Sequence, residues 1–470
     1  MRSSHTASAV SARFDDPNLI ADAGLIPVLR LARHCRLPEL AAEAIRIPDA
    51  DSGGANPAAK VMSLVAAMVA GADSIDDVHR VRHGGMDLAF DGTRAPSTVG
   101  TFLRSFTHGH VRQLHQVHRA FLAELAARTP LLPGADTVAF IDIDPTHRRV
   151  YGHAKQGAEH GRLKGQRTLH PLVAVVSTPL ARPVIAAVRM RRGKAADVRG
   201  AESFVAEALA VAAQIGCTGI RIVRADAKFY TADVVAACRR AGARFSLTTG
   251  TNPSITAAIT TIADHAWIPI RYPNAIEDPD TGELISDAEV AEIPCYTAFT
   301  GRRKTERVTA TLMVRRVKRL NTTTSAGQTE LFPAYRYHTV FTDSPFELVP
   351  AEADHRRHAV IEQVIADGKA GPLAHLPSGH FQANAAWLTC WAITHNLLRA
   401  AGSLASVFHT KATTATLRAH LIAVPARLAR SARCYLTVHL PRHWPWRDAR
   451  QQLFDAVHPD AVHVAPPPSA

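Results

Sequence analysis

Apolar residues along this chain repeat with two different periods, and the change from one to the other falls near residue 135. Before it the spacing is helical. Residues 23–46 are rich in Leu, Ala and Ile, residues 57–70 read as an Ala/Val/Met helix, and Ser74-Ile75-Asp76-Asp77 has the character of a capped start. Ser97 is expected to N-cap the helix that follows it. Beyond His108-Gly109-His110, apolar residues at Val111, Leu114, Val117, Phe121, Leu122 and Leu125 form one stripe, with Arg112, His115 and Arg119 largely outside it. Residues 1–130 therefore read as a separate all-helical domain. Two short helices joined by a Gly-containing turn suit DNA binding, and they equally suit a solvated face of an ordinary bundle.

From 135 onward β-branched runs take over, at 137–144, 168–178 and 183–191. A helix at 200–214, a strand at 219–223, a helix at 231–241 and a strand at 243–247 follow. Strand, hairpin, then alternating helix and strand is the order of an RNase H-like α/β catalytic domain, whose first part would span 135–250. Residues 251–345 interrupt that order with Trp267, a turn-rich stretch at 274–282 and strand-like runs at 293–300, 307–318 and 335–342, and read as a β-rich insertion. Helices at 351–369 and 383–400 place the second part of the α/β domain at 346–425. The Arg-containing tail, 426–470, runs to Pro466-Pro467-Pro468 and is expected to fray.

Three acids sit where these patterns change. The run Thr137–Ile141 leads into Asp142 and Asp144 before Pro145 breaks it, and Gly219–Val223 delivers Asp226 just ahead of Lys228. Glu362 lies in a stretch whose apolar residues at 360, 361, 364 and 365 mark the buried face of a helix. Two strand-end aspartates and a helical glutamate can hold two divalent cations roughly 3.5 to 4 Å apart, the arrangement used for in-line displacement at phosphorus. Strand alternation puts Phe140, Asp142 and Asp144 on one face, so Asp142 rivals Asp144 for the first metal position. Trp267 is either core or a platform for an extruded base.

Charge narrows the partner. Lys and Arg number 54 against 41 Asp and Glu, a formal net charge of +13, which points to a polyanion. Lys155, Arg162, Lys164 and Arg167 in one hairpin, and Arg189, Arg191, Arg192 and Lys194 at a strand end, lie close in sequence to the first acid and suit phosphate positioning. The six cysteines are scattered without a C-x-x-C pair, so neither a zinc ribbon nor a disulfide framework is expected. No run approaches the roughly 18 to 20 apolar residues of a membrane span, and the start lacks a secretory h-region. A cytoplasmic, nucleoid-associated protein without a membrane partner is expected.

With those residues in view, the chain resembles a DDE transposase of a bacterial insertion sequence, in the cut-and-paste group with a Tyr-Arg-Glu-Lys signature around the last acid. The resemblance rests on Asp142-Ile143-Asp144-Pro145-Thr146, Tyr151-Gly152-His153, residues 165–172, Arg224-Ala225-Asp226-Ala227-Lys228-Phe229-Tyr230 and residues 355–369. The Asp-x-Thr pattern favours Asp144 as the first acid, and Asp226 and Glu362 match the second and third. His355 and His358 stand where the signature has Tyr and Arg, and Lys369 matches its Lys. Steps of four and seven residues would line His355, His358, Glu362 and Lys369 along one helix face.

The resemblance implies a transposase that binds terminal inverted repeats in double-stranded DNA, pairs two ends as a homodimer, and cuts with two Mg²⁺ ions, for which Mn²⁺ would substitute. It implies catalytic and metal-binding roles for Asp144, Asp226 and Glu362. DNA contacts would come from Lys369, His355, His358, Arg357, Lys228, Arg162, Lys164, Arg112 and Arg119. Two rivals remain. A plain RNase H-like nuclease or resolvase would use the same acids, and a transposase-derived repressor would bind the repeats without cutting them. Intact Asp144, Asp226 and Glu362 argue against the second.

Overall fold

The β-branched runs pair into one sheet, and the helices are packed around it. The computed structural model describes residues 4–6, 9–48, 53–161, 163, 165–270, 288–318, 335–431 and 435–458. Nine strands form the sheet: β1 (Val138–Pro145), β2 (Leu172–Thr178), β3 (Ala181–Arg189), β4 (Ile220–Ala225), β5 (Arg244–Thr248), β6 (Ile268–Ile270), β7 (Ala288–Ala298), β8 (Val308–Lys318) and β9 (Tyr335–Thr342). Their order is β6-β7-β8-β9-β5-β4-β1-β2-β3. The β1–β4 and β4–β5 pairs are parallel and the others antiparallel. Consecutive residues of β1 and β2 are almost all buried, as expected of strands covered on both faces.

One expectation needs correction here, and another gains detail. The strand expected at 168–178 is split: Arg167–Leu169 joins a small sheet with Arg148–Arg149 and Glu159–His160, and β2 starts only after Pro171, which has no N–H to give a ladder. The expected β-rich insertion continues the main sheet, because β9 pairs with β5 at Val340↔Thr248, Phe341↔Leu247 and Thr342↔Ser246. It also carries two small apolar cores, one around Val290 and Met313 and one around Trp267, Leu312 and Val314. Trp267 is thus a core residue, with the Arg316 guanidinium 4.2 Å from its ring centre. The turn-rich stretch at 274–282 lies outside the described residues.

The longer helices of the first 130 residues are α1 (Leu25–His34), α2 (Leu37–Ala44), α3 (Pro57–Val69), α4 (Pro96–Arg104) and α5 (His108–Arg128). Ser97 does not cap α4; Pro96 occupies its first position and Ala95 precedes it without a side-chain bond. The capping box falls one helix later, where Thr107 N donates to His110 Nδ1 and Thr107 Oγ1 accepts from His110 N. Around the sheet lie α6 (Ala201–Gln214), α7 (Ala232–Arg240), α8 (Leu348–Arg356) and α9 (Val360–Lys369), followed by α10 (Phe381–Ala405) and α11 (Arg447–Val457).

The long helix α10 explains how these parts join. It is apolar around most of its circumference, from Ala383 through Ala405, and such a helix must be surrounded by other elements. It packs on α1, α3, α4, α5, α11 and β3. A single apolar core therefore runs from Ile20 to Val457, and the N-terminal helices share it with the sheet. The tail also folds back, with Ala426–Arg430 paired to Leu19–Ile20 and to Leu436–His439. Its Pro-rich end lies outside the described residues. Among the described residues, no helix is long and apolar enough to cross a membrane, and the described cysteines are free thiols.

Candidate active site

The adjoining parallel strands β1 and β4 carry the first two acids. In their register Asp142 faces Arg224 and Ile143 faces Ala225, so Asp144 and Asp226 emerge beyond the last paired residues. Asp142 is fully buried. Arg224 Nε and Nη2 donate to its two carboxylate oxygens, each at 2.7 Å. The same guanidinium lies 4.0 Å from the Phe140 ring centre and donates to the Asp354 carbonyl. Burial opposes the charge of Asp142, but Arg224 holds its carboxyl below the usual range. Both oxygens are committed to a structural fork, which removes Asp142 from the candidate metal ligands.

Asp144 is half-buried, and its carboxyl is pushed up to about 7, first by burial and then by the negative charge of Asp226, with a smaller push from Glu362. His358 and Lys228 oppose the shift. Asp226 and Glu362 are therefore each within electrostatic reach of Asp144, although the three come from two strands and a helix. Asp226 also caps the short turn Ala227–Phe229, accepting from Lys228 N at 3.1 Å. Glu362 is exposed on the first turn of α9, and Lys369 is at its end, half-buried near Arg148 and Asp144.

The helix expected to line up His355, His358, Glu362 and Lys369 is interrupted. His355 belongs to α8, His358 to a 3₁₀ turn at Arg357–Ala359, and Glu362 and Lys369 to α9. His355 has its two ring nitrogens 2.9 Å from the hydroxyls of Ser246 and Thr248 on β5, and burial drives its pKa down to about 3. It is a neutral packing residue, so its expected DNA contact is corrected. His358 Nδ1 lies 3.6 Å from Asp142 Oδ1, too long for a hydrogen bond but close enough for charge. Burial disfavours its charged form, and Asp142 outweighs that and raises its pKa. Arg357 is exposed and paired with Asp354 at 2.7 Å.

Several other basic residues are committed within the fold. Arg119 and Arg189 meet Glu207 at 3.5 and 3.0 Å, tying α5 and β3 to α6. Arg191 is buried and donates to the carbonyls of His170, Ala196 and Asp197. Arg167 donates to the Gly152 and Ala158 carbonyls, and Lys155 to that of Leu376. Arg112, Arg192 and Lys194 are exposed. Arg162 and Lys164 lie outside the described residues. Sequence reading missed Arg148, which donates to the Ala374 carbonyl beside Lys369, and Arg224, whose signal was its position in the 222–226 run two residues before Asp226.

The donor set of Asp144, Asp226 and Glu362 is all oxygen, which suits a hard divalent cation. Burial first, then the neighbouring charges of Asp226 and Glu362, raises the pKa of Asp144, and a cation bound there would offset both effects. Among the described residues, however, no three His, Cys, Asp or Glu side chains are gathered closely enough to ligate one ion as they stand. The residues fit such a cation, with some side-chain closure required.

A family model described as transposase DDE domain, group 1, matches residues 2–460. No curated protein sequence matches the chain. Among solved structures, a piggyBac transposase in a synaptic complex with hairpin DNA is similar over 86% of this chain and 79% of that one, at 9% identity and a TM-score of 0.35. A likeness that loose transfers no residue.

Proposed function

The chain belongs to the group 1 family of DDE transposases, enzymes that break and join phosphodiester bonds with divalent metals, and from that premise we propose that it binds the terminal inverted repeats of a mobile element and moves it by cut-and-paste transposition. The observation that carries this reading is the pair of carboxylates, Asp144 and Asp226, leaving adjacent parallel strands, with Glu362 within electrostatic reach of Asp144. The order β3-β2-β1-β4-β5 supports an RNase H-like catalytic core drawn from 135–250 and 346–425, with 251–345 inserted between them and 426–470 as the tail. Residues 1–130, with exposed Arg112, contribute to end binding, and two copies of the chain pair two ends.

Asp144, Asp226 and Glu362 would hold two Mg²⁺ ions, with Mn²⁺ as a substitute. When bound, these supply an activated water and stabilise the leaving 3′ oxygen. In the first step water attacks phosphorus in line and the 3′ oxygen leaves as a free hydroxyl. In the second step that hydroxyl attacks another phosphodiester, so one bond forms as one breaks. Lys369 and Lys228 place ammonium groups at the rim of the site, where they hold the phosphate in register. Burial, then the charge of Arg148, lowers the pKa of Lys369.

The test is nicking and gel shift of end DNA with Asp144→Ala, Asp226→Ala and Glu362→Ala. Each is expected to lower the cleavage rate by about a thousandfold, the equivalent of several kcal/mol of transition-state stabilisation, while DNA binding stays close to wild type. Normal cleavage by one variant removes that residue from the site.

A further inference from the structure

A second acid, Asp197, lies within ionic reach of Lys228. Asp197, in the loop between β3 and α6, has its side chain 1% exposed. Lys228 Nζ stands 3.7 Å from Asp197 Oδ2 and 3.7 Å from Asp226 Oδ2, so one ammonium is shared between a buried carboxylate and a candidate metal ligand. At that distance both contacts are ionic and neither is a tight hydrogen bond, so the ammonium can move toward either side.

Asp197 lies among histidine and arginine contacts. His170 Nε2 lies 3.1 Å from Asp197 Oδ1, and His170 Nδ1 lies 3.1 Å from the Ala195 carbonyl. The His147 ring stacks on His170 at 3.9 Å and 8°. Arg191 fastens the loop by donating to the carbonyls of His170, Ala196 and Asp197. Burial, then the charge of Arg191, pushes the His170 pKa down to about 4, and its Nδ1–H is given to the Ala195 carbonyl, so at neutral pH the Nε2 that faces Asp197 offers it neither a proton nor a charge. Arg191 adds positive potential while donating to backbone oxygens, and the Lys228 ammonium lies within ionic reach of the same carboxylate. A buried carboxylate is costly to maintain without a compensating cation.

We propose that Asp197 is a positioning residue that draws the Lys228 ammonium off Asp226 when a divalent cation arrives there, and keeps that ammonium beside the reacting phosphate. The inference rests on the assignment of Asp226 as a metal ligand. Without the pull of Asp197, Lys228 would collapse onto Asp226 and compete with the cation.

The experiment is calorimetric titration of the full chain with Mn²⁺ in the absence of DNA, together with single-turnover nicking of bound end DNA. Asp197→Asn is expected to raise the Mn²⁺ dissociation constant about threefold to tenfold, the range for losing one partly exposed charge contact. Lys228→Met should bind Mn²⁺ at least as well as wild type, and the double variant should match Lys228→Met. In nicking, each single variant and the double should slow by similar factors, because two residues acting as one unit are not additive. Unchanged Mn²⁺ affinity in Asp197→Asn overturns the proposal. So does a loss of equal size in the Lys228→Met background, which would show Asp197 acting through the fold. Asp226→Ala separates the two levels: if it binds Mn²⁺ and nicks normally, the site assignment itself fails and this inference with it.

Discussion

Asp142 and Asp144 are two residues apart on one strand, yet their surroundings give them opposite tasks. Asp142 is clamped by Arg224 in a fork that joins β1, β4 and the end of α8. Asp144 has no such fork and is left to the charges of Asp226 and Glu362. A buried ion pair adds little net stability while intact, but removing one member leaves an uncompensated buried charge. Arg224→Met and Asp142→Ala are each expected to lower the unfolding free energy by about 3–5 kcal/mol, and the double variant by clearly less than their sum. Denaturant melts of the three variants check this. Additive losses would mean that the two side chains are not coupled.

Elements are placed by close approach as much as by apolar area. Gly368 sits in the last turn of α9, one residue before Lys369 and six after Glu362, and an added Cβ there would come within 2.7 Å of the Trp391 ring on α10. Trp391 is buried and cannot swing aside without opening the core. Helix propensity alone favours Ala over Gly by about 1 kcal/mol. Here Gly368→Ala is expected to do the reverse, lowering the melting temperature and slowing cleavage more than it weakens end binding, because α9 must shift and carries Glu362 with it. Gly379→Ala is the control, since nothing lies within 4 Å of the added methyl. Equal melting temperatures for the two variants would remove the packing argument.

At the scale of the whole molecule, α10 is the element that unites N-terminal helices, sheet and tail. It also closes the β3 edge of the sheet. Asn396 accepts from Ile185 N at 2.7 Å and donates to Ile185 O at 2.9 Å, as a neighbouring strand would. Beside it His118 Nε2 lies 3.1 Å from Asn396 Nδ2, and His395 Nε2 lies 3.0 Å from the Pro183 carbonyl. Burial pushes both imidazoles down to about 3 from an ordinary value of 6.5. The unfolded chain therefore binds protons that the folded one refuses. Stability from these two groups is complete above pH 6.5 and is lost progressively as the pH falls from 6.5 toward 3. Urea midpoints measured between pH 7.5 and 4.5 should fall, and His118→Gln should fall less steeply than wild type. A parallel decline in both would place the titration elsewhere.

Local pattern was enough for the strands at 137–144, 243–247 and 335–342 and the helix at 200–214, because period-2 and period-3.6 burial is written in neighbouring residues. It was also enough to single out Asp142, Asp144, Asp226 and Glu362 as acids beside apolar runs, while the choice of Asp144 over Asp142 came from the family resemblance. What neighbours cannot encode was left to tertiary structure. Asp142 became a structural residue because parallel pairing set Arg224 opposite it from 82 positions away. The expected insertion joined the sheet because β9 found the free edge of β5. The N-terminal helices share a core with α10, more than 250 residues later in the chain, because a helix apolar around most of its circumference needs partners on most sides. Asp197 reached Lys228 for the same kind of reason: the loop after β3 and the turn after β4 are distant in sequence and adjacent only once the sheet has formed.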